Sequence, residues 1–380
     1  MTTSYSASYS AELWRYALPL REPLTIPNGA LSTRHGLILV LTDSAGNQGF
    51  GEIAPLQSLH TETLAEAEAQ ILSALQKNTL LQEHSSQLFP SVRCGVEMAL
   101  YDLTLPRMAS SRQQLQSLNA LLSGAKETLL SKAEKAVQDG YKTLKIKVGR
   151  HSLDDDIASV RAIRERVGQS IRLRLDANRT WSLEAALYLG YALQDCAIDY
   201  IEEPCKNVFD SAEFASKTCM RVAFDETLST ANTAEFEARL RVPDEALAAY
   251  ILKPSVLGGI EKASHLAREA NERGLLAVVS SVFESGIALR LYAHVQQSWN
   301  AHIAQEERTV ACGLDTFSFL ADDTLLPRFS STQGVVNVSE LFARDVVLNS
   351  ATCTCLARVH LQSFMECANT KNTALRNGGQ

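Results

Sequence analysis

Short β-type runs alternate with helical patterns through the middle of the chain, and this alternation constrains the fold more than any other feature. We predict strands at 143–148, 171–176, 199–202, 221–225, 248–253 and 276–280, and helices between some of them at 154–167, 183–193 and 260–273. Strands that alternate with helices form a parallel sheet. This number of units predicts an α/β fold in which the sheet closes into a barrel.

The first ninety residues follow a different pattern. A β-type run at 36–42, a turn rich in Asp, Ser, Gly and Asn at 43–47 and a second run at 49–53 predict antiparallel strands. Helical patterns follow at 61–75 and 92–105. We therefore predict an α+β domain (1–95), a barrel domain (96–326) and a C-terminal segment (327–380) that partly returns to the first domain. No structure is predicted beyond Asn349.

Charged side chains interrupt the apolar residues of the first two predicted barrel strands. Lys145 and Lys147 alternate with apolar residues, so both ammonium groups lie on one face of their strand. Arg174, Asp176 and Asn178 share a face of the next strand in the same way. In a closed barrel, the face opposite the apolar residues is the interior.

Charged residues also recur once in each βα unit. From Lys147 through Asp176, Glu202 and Asp225 to Lys253, the steps are 29, 26, 23 and 28 residues. Each residue stands at the end of a predicted strand. Because the carboxyl ends of parallel strands meet at one end of a barrel, where such enzymes keep their active sites, these side chains are predicted to form one ring.

The chemistry of this ring favours a metal-assisted proton transfer. Three carboxylates that converge repel each other unless a cation lies among them, and ligation by oxygen alone suits Mg²⁺ better than Zn²⁺. The predicted magnesium ligands are Asp176, Glu202 and Asp225. Lys147 and Lys253 can exchange a proton near neutrality if neighbouring positive charge, such as that of Lys145, lowers their pKa.

Simpler interpretations of these residues exist. Lys145 and Lys147 alone could form the solvated face of an edge strand, and Asp176 and Asp225 could cap the helices that follow them. Agreement at several strand ends favours the ring over these alternatives. The neighbouring carboxylates Glu203 and Glu226 are expected either to support the ligands from behind or to face solvent, because their alternation points them away from the ligand direction.

Composition limits the classes of partner. The 380 residues are 46% apolar and 21% charged, and the net charge is −7 without a basic run, which disfavours nucleic acid and membrane surfaces as partners. No apolar stretch is long enough to span a bilayer, and residues 1–11 make a poor secretory signal, so we expect a cytoplasmic protein. The eight cysteines lack zinc-site spacing and are expected to be reduced thiols.

With these residues in place, the chain resembles the enolase superfamily and, within it, the o-succinylbenzoate synthase family of the muconate-cycloisomerase-like subgroup. The resemblance extends from about residue 24 to 326. Its supporting segments are LSTRHG at 31–36, GEIAPL at 51–56, PSV at 90–92, GV at 95–96, LDANR at 175–179, EEPCK at 202–206, DE at 225–226, KP at 253–254, SSVFES at 280–285 and GLD at 313–315.

The resemblance implies a modified (β/α)7β TIM-type barrel with an N-terminal capping domain, and it assigns roles to the ring. Lys147 would remove the proton next to the substrate's carboxylate, Lys253 would stabilise the enediolate, and Mg²⁺ would be the cofactor. The reaction would dehydrate 2-succinyl-6-hydroxy-2,4-cyclohexadiene-1-carboxylate. Loops at 26–34 and 51–55 would cap the site. Supporting or substrate-binding roles are assigned to Lys145, Arg174, Asn178, Ser280, Ser281 and Arg34.

Other functions remain open at this point. An N-acylamino acid racemase or a muconate cycloisomerase would use the same metal and lysines with a different pocket, and a non-catalytic barrel could keep the fold alone. Dipeptide epimerases usually carry an Asp-x-Asp element near the eighth strand, and none is found at 280–285. The expected partner is a small carboxylate substrate, and the oligomeric state stays open.

Overall fold

The computed structural model describes residues 6–26, 29–80, 87–106, 113–230, 232–299 and 310–364. The N-terminal elements are β1 (Ser6–Ile26), β2 (Gly29–Thr42), β3 (Gln48–Ile53), α1 (Leu64–Gln76) and α2 (Pro90–Thr104). The central elements are β4 (Leu115–Ser117), β5 (Ala120–Leu122), α3 (Lys126–Gln138), β6 (Thr143–Lys147), α4 (Leu153–Val167), β7 (Arg172–Asp176), α5 (Leu183–Ala192), β8 (Ile198–Glu202), α6 (Ser211–Thr218), β9 (Val222–Phe224), α7 (Glu226–Ser229), α8 (Thr233–Glu237), β10 (Leu247–Leu252), α9 (Pro254–Leu257), α10 (Ile260–Glu272), β11 (Leu276–Val279) and α11 (Gly286–Trp299). The C-terminal elements are β12 (Leu325–Leu326), β13 (Val335–Asn337), α12 (Val338–Phe342), β14 (Val347–Leu348) and β15 (Cys353–Phe364).

Strands β5 to β11 form one parallel sheet in sequential order. Residues 312–313 join its two edges. The backbone N–H of Gly313 donates to the carbonyl of Val279 at 2.8 Å, and that of Asn119 donates to the carbonyl of Cys312 at 3.0 Å. Parallel bridges also link Ser280 with Gly313 at one edge and Leu118 with Cys312 at the other. The predicted α/β barrel with an N-terminal α+β domain is confirmed.

The barrel strands place apolar side chains under the helices and polar ones inside. On β6, Leu144 and Ile146 are fully buried in the core that the helices cover, and the alternating residues Lys145 and Lys147 therefore point inward. The six predicted barrel strands and three predicted helices each lie within one residue of the observed bounds. Periodicity sufficed for the helices because each buries one face. The strands are buried on both faces and were located as short β-type runs between helical patterns.

The N-terminal sheet is antiparallel, with the order β15-β1-β2-β3. On β2, Leu37 and Leu41 belong to the core that lies under α1 and α2. The intervening Ile38 and Val40 pack in a second core that includes Ile287 of α11. Burial of both faces explains why this strand is an almost continuous apolar run instead of an alternating one. It also fixes the N-terminal domain against the barrel.

Helix α2 crosses the predicted domain boundary between residues 95 and 96. It packs on β3 at a close approach, since a Cβ atom added to Gly51 would collide with the backbone of Gly95. Two glycines facing each other allow this spacing. The helix continues to Thr104 and packs on both sides, with Val92 and Val96 in the N-terminal core and Cys94 and Met98 in the barrel core.

The chain after Asn349 forms structure that the sequence did not predict. Strand β15 runs antiparallel to β1, with partners from Tyr16–Cys353 to Ser6–Phe364. From Cys353 to Leu361 its residues alternate strictly between an inward face and an exposed face, and Ala357, Val359 and Leu361 pack in the core under α1 and α2. Residues 365–380 lie outside the described residues. Within the described ranges, the cysteines are free thiols and no helix is long and apolar enough to cross a membrane.

Candidate active site

The strand register brings the predicted ring to one end of the barrel. Lys147 of β6 is the register partner of Asp176 on β7, which is in turn the partner of Glu202 on β8. Asp225 directly follows β9, and Lys253 directly follows β10. All five residues therefore stand at the carboxyl ends of neighbouring strands, the usual location of active sites in this architecture.

Lysines neutralise the buried carboxylates of β7 and β8. Nζ of Lys145 lies 2.8 Å from Oδ2 of Asp176 and donates a hydrogen bond of 2.9 Å to Oε1 of Glu202. Nζ of Lys147 lies 2.5 Å from the same Oδ2 of Asp176. Since Asp176 and Glu202 are fully buried, these contacts replace the water that an isolated carboxylate would need.

The two carboxylates differ in how well their charge is compensated. Burial raises the pKa of Glu202 well above its usual range, and the negative charge of Asp176 adds to this effect. Burial also acts to raise the pKa of Asp176, but the ammonium groups of Lys145 and Lys147 hold it below the ordinary value. Glu202 is thus the carboxylate that would gain most from a further cation.

Lys253 forms a separate ion pair with Asp225. Burial acts to lower the pKa of Lys253, but the charge of Asp225 outweighs it and raises the pKa above the usual value. The sequence predicted proton exchange near neutrality on the condition that neighbouring positive charge lowers the lysine pKa. For Lys253 that condition is not met in this structure, because its ion-pair partner is a carboxylate.

The chemistry of the donor set fits Mg²⁺, although the side chains are not arranged around a common point. Among the described residues, no three His, Cys, Asp or Glu side chains are placed to hold a metal ion. Asp176, Glu202 and Asp225 nevertheless offer buried oxygen donors from successive strand ends, the ligand type that Mg²⁺ prefers. Oε2 of Glu202 lies 2.7 Å from Nζ of Lys145 but accepts no hydrogen bond. Binding would require the carboxylates to turn, so the metal site stays a prediction.

A cavity of about 470 Å³ opens beside these strand ends. Its polar lining includes Lys145, Lys147, Asn178, Lys253, Ser280 and Ser281. Its apolar lining includes Leu24, Leu56, Leu59, Leu121, Val282 and Phe283, from both the N-terminal domain and the barrel. The cavity therefore combines convergent charged groups with an apolar wall, as enzyme sites that bind small molecules do.

Asn178 connects a lysine to a second carboxylate of the cavity. Its Oδ1 accepts a hydrogen bond of 2.9 Å from Nζ of Lys147, and its Nδ2 donates one of 2.9 Å to Oε1 of Glu226. Burial, together with the charge of Asp225, raises the pKa of Glu226 to about 7. Glu226 lines the cavity, and its direction relative to the predicted metal ligands stays a prediction.

Glu203 holds the loops that follow the strands. It is buried, accepts backbone hydrogen bonds from Asp225 at 2.9 Å and Thr227 at 2.7 Å, and pairs with Arg179 at 3.0 Å. Asn178, Arg179 and Glu203 have φ angles of +44°, +57° and +45°. Left-handed backbone at residues other than glycine is uncommon and concentrates at functional sites. Of the two positions expected for Glu203, beside the ligands or facing solvent, the structure shows the first, since Glu203 is buried and bonded to the backbone of Asp225.

Two arginines assigned supporting roles lie outside the cavity lining. Arg174 is fully buried inside the barrel, donates to the carbonyl of Ala311 at 2.7 Å and stacks on Tyr200. Arg34 directs its guanidinium at backbone carbonyls. These belong to His35, Ala54, Pro55, Val282 and Phe283. Arg34 therefore connects a loop of the N-terminal domain to a loop of the barrel. Its guanidinium N–H groups donate to these carbonyls and are not part of the cavity lining.

Ser281 and Asp315 show where the barrel closes. The Ser281 hydroxyl donates to the carbonyl of Gly313 at 3.0 Å, and Asp315 accepts a hydrogen bond of 2.6 Å from the hydroxyl of Tyr141. Burial raises the pKa of Asp315 to about 6. The eighth position of the barrel is thus at 312–313, not beside 280–285. Asp315 comes shortly after this position, but the residue two places further on is Phe317. An Asp-x-Asp element is therefore absent there too.

Comparison with protein families matches both parts of the chain. Residues 128–341 match the family described as "Enolase C-terminal domain-like", and residues 8–103 match "MenC, N-terminal domain". The first match alone covers more than half of the chain.

Several known proteins are similar over most of the chain. The o-succinylbenzoate synthase of Pectobacterium atrosepticum is 34% identical, across 76% of this chain and 85% of that protein. The one from Yersinia enterocolitica is 32% identical, across 90% and 99%. Protein PHYLLO, chloroplastic, of Arabidopsis thaliana is 31% identical across 88% of this chain, which spans only 23% of the length of that plant protein.

Solved structures agree on the fold. The N-succinyl Arg/Lys racemase from Bacillus cereus has a TM-score of 0.73 at 21% identity, covering 95% of this chain and all of that one. The dipeptide epimerase from Enterococcus faecalis, complexed with Mg and the dipeptide L-Leu-L-Tyr, has a TM-score of 0.69 at 24% identity, covering 83% and 92%. At these identities the likeness concerns the fold alone. The family matches and the sequence relatives show that the chain belongs to the enolase superfamily and, within it, to the o-succinylbenzoate synthase family.

Proposed function

We propose that this chain catalyses the Mg²⁺-dependent dehydration of 2-succinyl-6-hydroxy-2,4-cyclohexadiene-1-carboxylate to o-succinylbenzoate, a step of menaquinone biosynthesis. The observation that carries the proposal is that Lys147 and Lys253 line one cavity from different strands, beside the carboxylates of neighbouring strand ends. Relatives named o-succinylbenzoate synthase that align over most of the chain support the choice of this reaction.

The reaction breaks one C–H bond and one C–O bond. Lys147, as a neutral amine, takes the proton from the ring carbon that bears the carboxylate. The ammonium so formed returns this proton to the hydroxyl on the adjacent carbon, which departs as water while the ring becomes aromatic. Lys253, held as an ammonium by Asp225, keeps positive charge beside the enediolate. Proton and electron pairs therefore balance within the substrate and one lysine.

The remaining lining residues orient the substrate and limit water. Mg²⁺ held by Asp176, Glu202 and Asp225 would supply positive charge to the substrate's carboxylate as the proton leaves. The apolar side chains of Leu24, Leu56 and Phe283 line the same cavity. A drier cavity strengthens the attraction between the lysine charge and the enediolate.

A direct assay tests the proposal. The purified chain is mixed with the cyclohexadiene carboxylate, with Mg²⁺ present and after chelation, and formation of the aromatic product is followed by ultraviolet absorbance. We expect fast aromatisation that chelation abolishes and added Mg²⁺ restores. A folded protein without turnover in Mg²⁺ would contradict the proposed reaction.

Racemisation of N-acylamino acids is the second candidate. The specific observation in its favour is that two lysines, Lys147 and Lys253, line the cavity, as a proton exchange on both faces of one carbon would need. Exchange of the α-proton for deuterium in D₂O with N-succinylamino acids measures this activity. Turnover far faster than the dehydration would make racemisation the main function.

The expected partners and location remain predictions. A small carboxylate substrate agrees with the size and the cationic lining of the cavity. The predicted cytoplasmic location is tested by microscopy of a tagged full-length protein.

A further inference from the structure

Arg150 differs from the other cations that line the cavity. Lys145, Lys147 and Lys253 each form an ion pair with a strand-end carboxylate. Arg150 lines the same cavity and is exposed, and within the part of the chain that the structure describes it makes no recorded ion pair or side-chain hydrogen bond. Its guanidinium is therefore the cavity cation that a ligand can reach without displacing a protein carboxylate.

The backbone around Arg150 is held in place on both sides. The N–H of Gly149 donates to Oδ2 of Asp156 at 2.6 Å, and Gly149 has a φ of +77°, which favours glycine. On the other side, Nε2 of His151 lies 3.2 Å from the carbonyl oxygen of Gly124. Arg150 thus starts from a fixed turn directly after β6, the strand that ends with the proposed base.

The chemistry of the substrate calls for such a cation. The substrate has two carboxylates, one on the ring and one at the end of the succinyl arm. If the ring carboxylate lies by the lysines, the second carboxylate needs its own partner, because a charge moved out of water without one is costly. An arginine fork matches a carboxylate with two parallel hydrogen bonds.

We propose that Arg150 binds the terminal carboxylate of the succinyl arm, and thereby makes the site selective for dicarboxylates. This inference rests on the proposed function, since it takes the cyclohexadiene dicarboxylate as the substrate. Arg150 touches the substrate far from the reacting carbon, so its contribution is made in binding and not in the proton transfer.

The test compares two substrates and three variants. Arg150→Gln and Arg150→Lys are assayed with the dicarboxylate and with an analogue whose succinyl carboxylate is a carboxamide. We expect Arg150→Gln to raise KM for the dicarboxylate about tenfold to a hundredfold, the usual worth of charged hydrogen bonds, with kcat within about threefold. The same change should leave KM for the carboxamide unaltered, and Arg150→Lys should recover part of the loss.

Arg172→Gln is the matched control, because Arg172 is exposed at the opposite end of β7. Calorimetric binding of o-succinylbenzoate to each variant gives a readout independent of turnover. If the wild-type chain neither turns over the substrate nor binds the product, the proposed function fails and this inference with it. If the wild type is active and Arg150→Gln has unchanged KM and product affinity, or loses equally with both substrates, the inference alone is overturned.

Discussion

The ends of the barrel strands and the contact between the two domains both bury charged side chains, but they compensate the charge with different partners. At the strand ends, Asp176 and Glu202 rely on the ammonium groups of Lys145 and Lys147. At the contact between domains, which we call the domain seam and define by Arg34, Glu52 and Ser285, the partners belong mainly to the backbone. Glu52, for example, accepts hydrogen bonds from the N–H of Ser285 at 2.8 Å and of Ala288 at 3.1 Å.

The kind of partner decides what a buried charge can do. A backbone N–H or carbonyl cannot move without moving its loop, so a carboxylate bound to it is fixed. A lysine side chain has four rotatable bonds, so its ammonium group can leave one carboxylate oxygen and donate to another acceptor or to a substrate. The strand ends therefore suit catalysis, and the domain seam suits stability. Variants should separate the two regions, the first affecting rate and the second the free energy of unfolding.

The largest effect is expected from Lys147→Ala. Removal of the proposed base should lower kcat by about a thousandfold or more, because general acid–base groups contribute on this scale, while the melting temperature stays close to the wild type. Lys142→Ala is the control, since Lys142 is exposed at the opposite end of β6 and should keep full activity. Retention of more than a tenth of wild-type kcat in Lys147→Ala would reject Lys147 as the base.

Replacement of Arg34 by Met tests the domain seam. Arg34 is 3% exposed, and loss of its guanidinium leaves several carbonyls without this donor. We expect the free energy of unfolding to fall by about 3–5 kcal/mol, measured by urea denaturation, while kcat of the folded protein changes less than tenfold. Arg15→Met removes a side chain that is 51% exposed and paired with Glu68, and it should cost less than about 1 kcal/mol. An equal fall in the free energy of unfolding of the two variants would show that the contacts of Arg34 in the domain seam stabilise the protein no more than an exposed ion pair does.

The pH dependence of stability tests Glu52 at the same seam. Burial raises the pKa of Glu52 from 4.5 to about 7. Between these values the folded state binds more protons than the unfolded state, so the free energy of unfolding falls as the pH rises. This pKa shift corresponds to a change of about 3 kcal/mol in the free energy of unfolding. Its titratable neighbours are Tyr16, Glu284, Tyr292 and Cys353.

Glu52→Gln isolates this contribution, because glutamine resembles the protonated acid in shape and cannot ionise. The free energy of unfolding of the wild type, minus that of the variant, should fall by about 3 kcal/mol from pH 4.5 to pH 7. Urea denaturation at each pH measures both values. A constant difference across this window would mean that Glu52 stays ionised in the folded protein.

The same contrast explains which features the sequence could predict. Lys147 and Asp176 were predicted because each ends an alternating strand, and Lys253 because it ends an apolar run at a similar interval along the chain; both signals are local. The partners of Arg34 are backbone carbonyls up to 249 residues away along the chain. Because every residue has a backbone carbonyl, the residue types do not indicate which ones accept these hydrogen bonds. Strand β15 escaped prediction for a different reason: an apolar residue, Leu356, stands on its exposed face and interrupts in the sequence the alternation that the structure shows. The site could thus be located from side-chain periodicity, whereas its supports required the fold.

The smallest effect is expected from Asn178, which links Lys147 to Glu226 and acts as a positioning residue. Asn178→Gly removes both side-chain hydrogen bonds, and glycine accepts the φ of +44° without strain, so stability should change little. We expect kcat to fall about tenfold, the usual worth of one hydrogen bond to a charged group, with KM nearly unchanged. Asn178→Asp keeps an oxygen for Lys147 and should shift the pH–rate profile, because it adds a negative charge beside the base. If both variants behave like the wild type, Lys147 is placed by Asp176 alone, and the strand-end ion pairs suffice to orient the base.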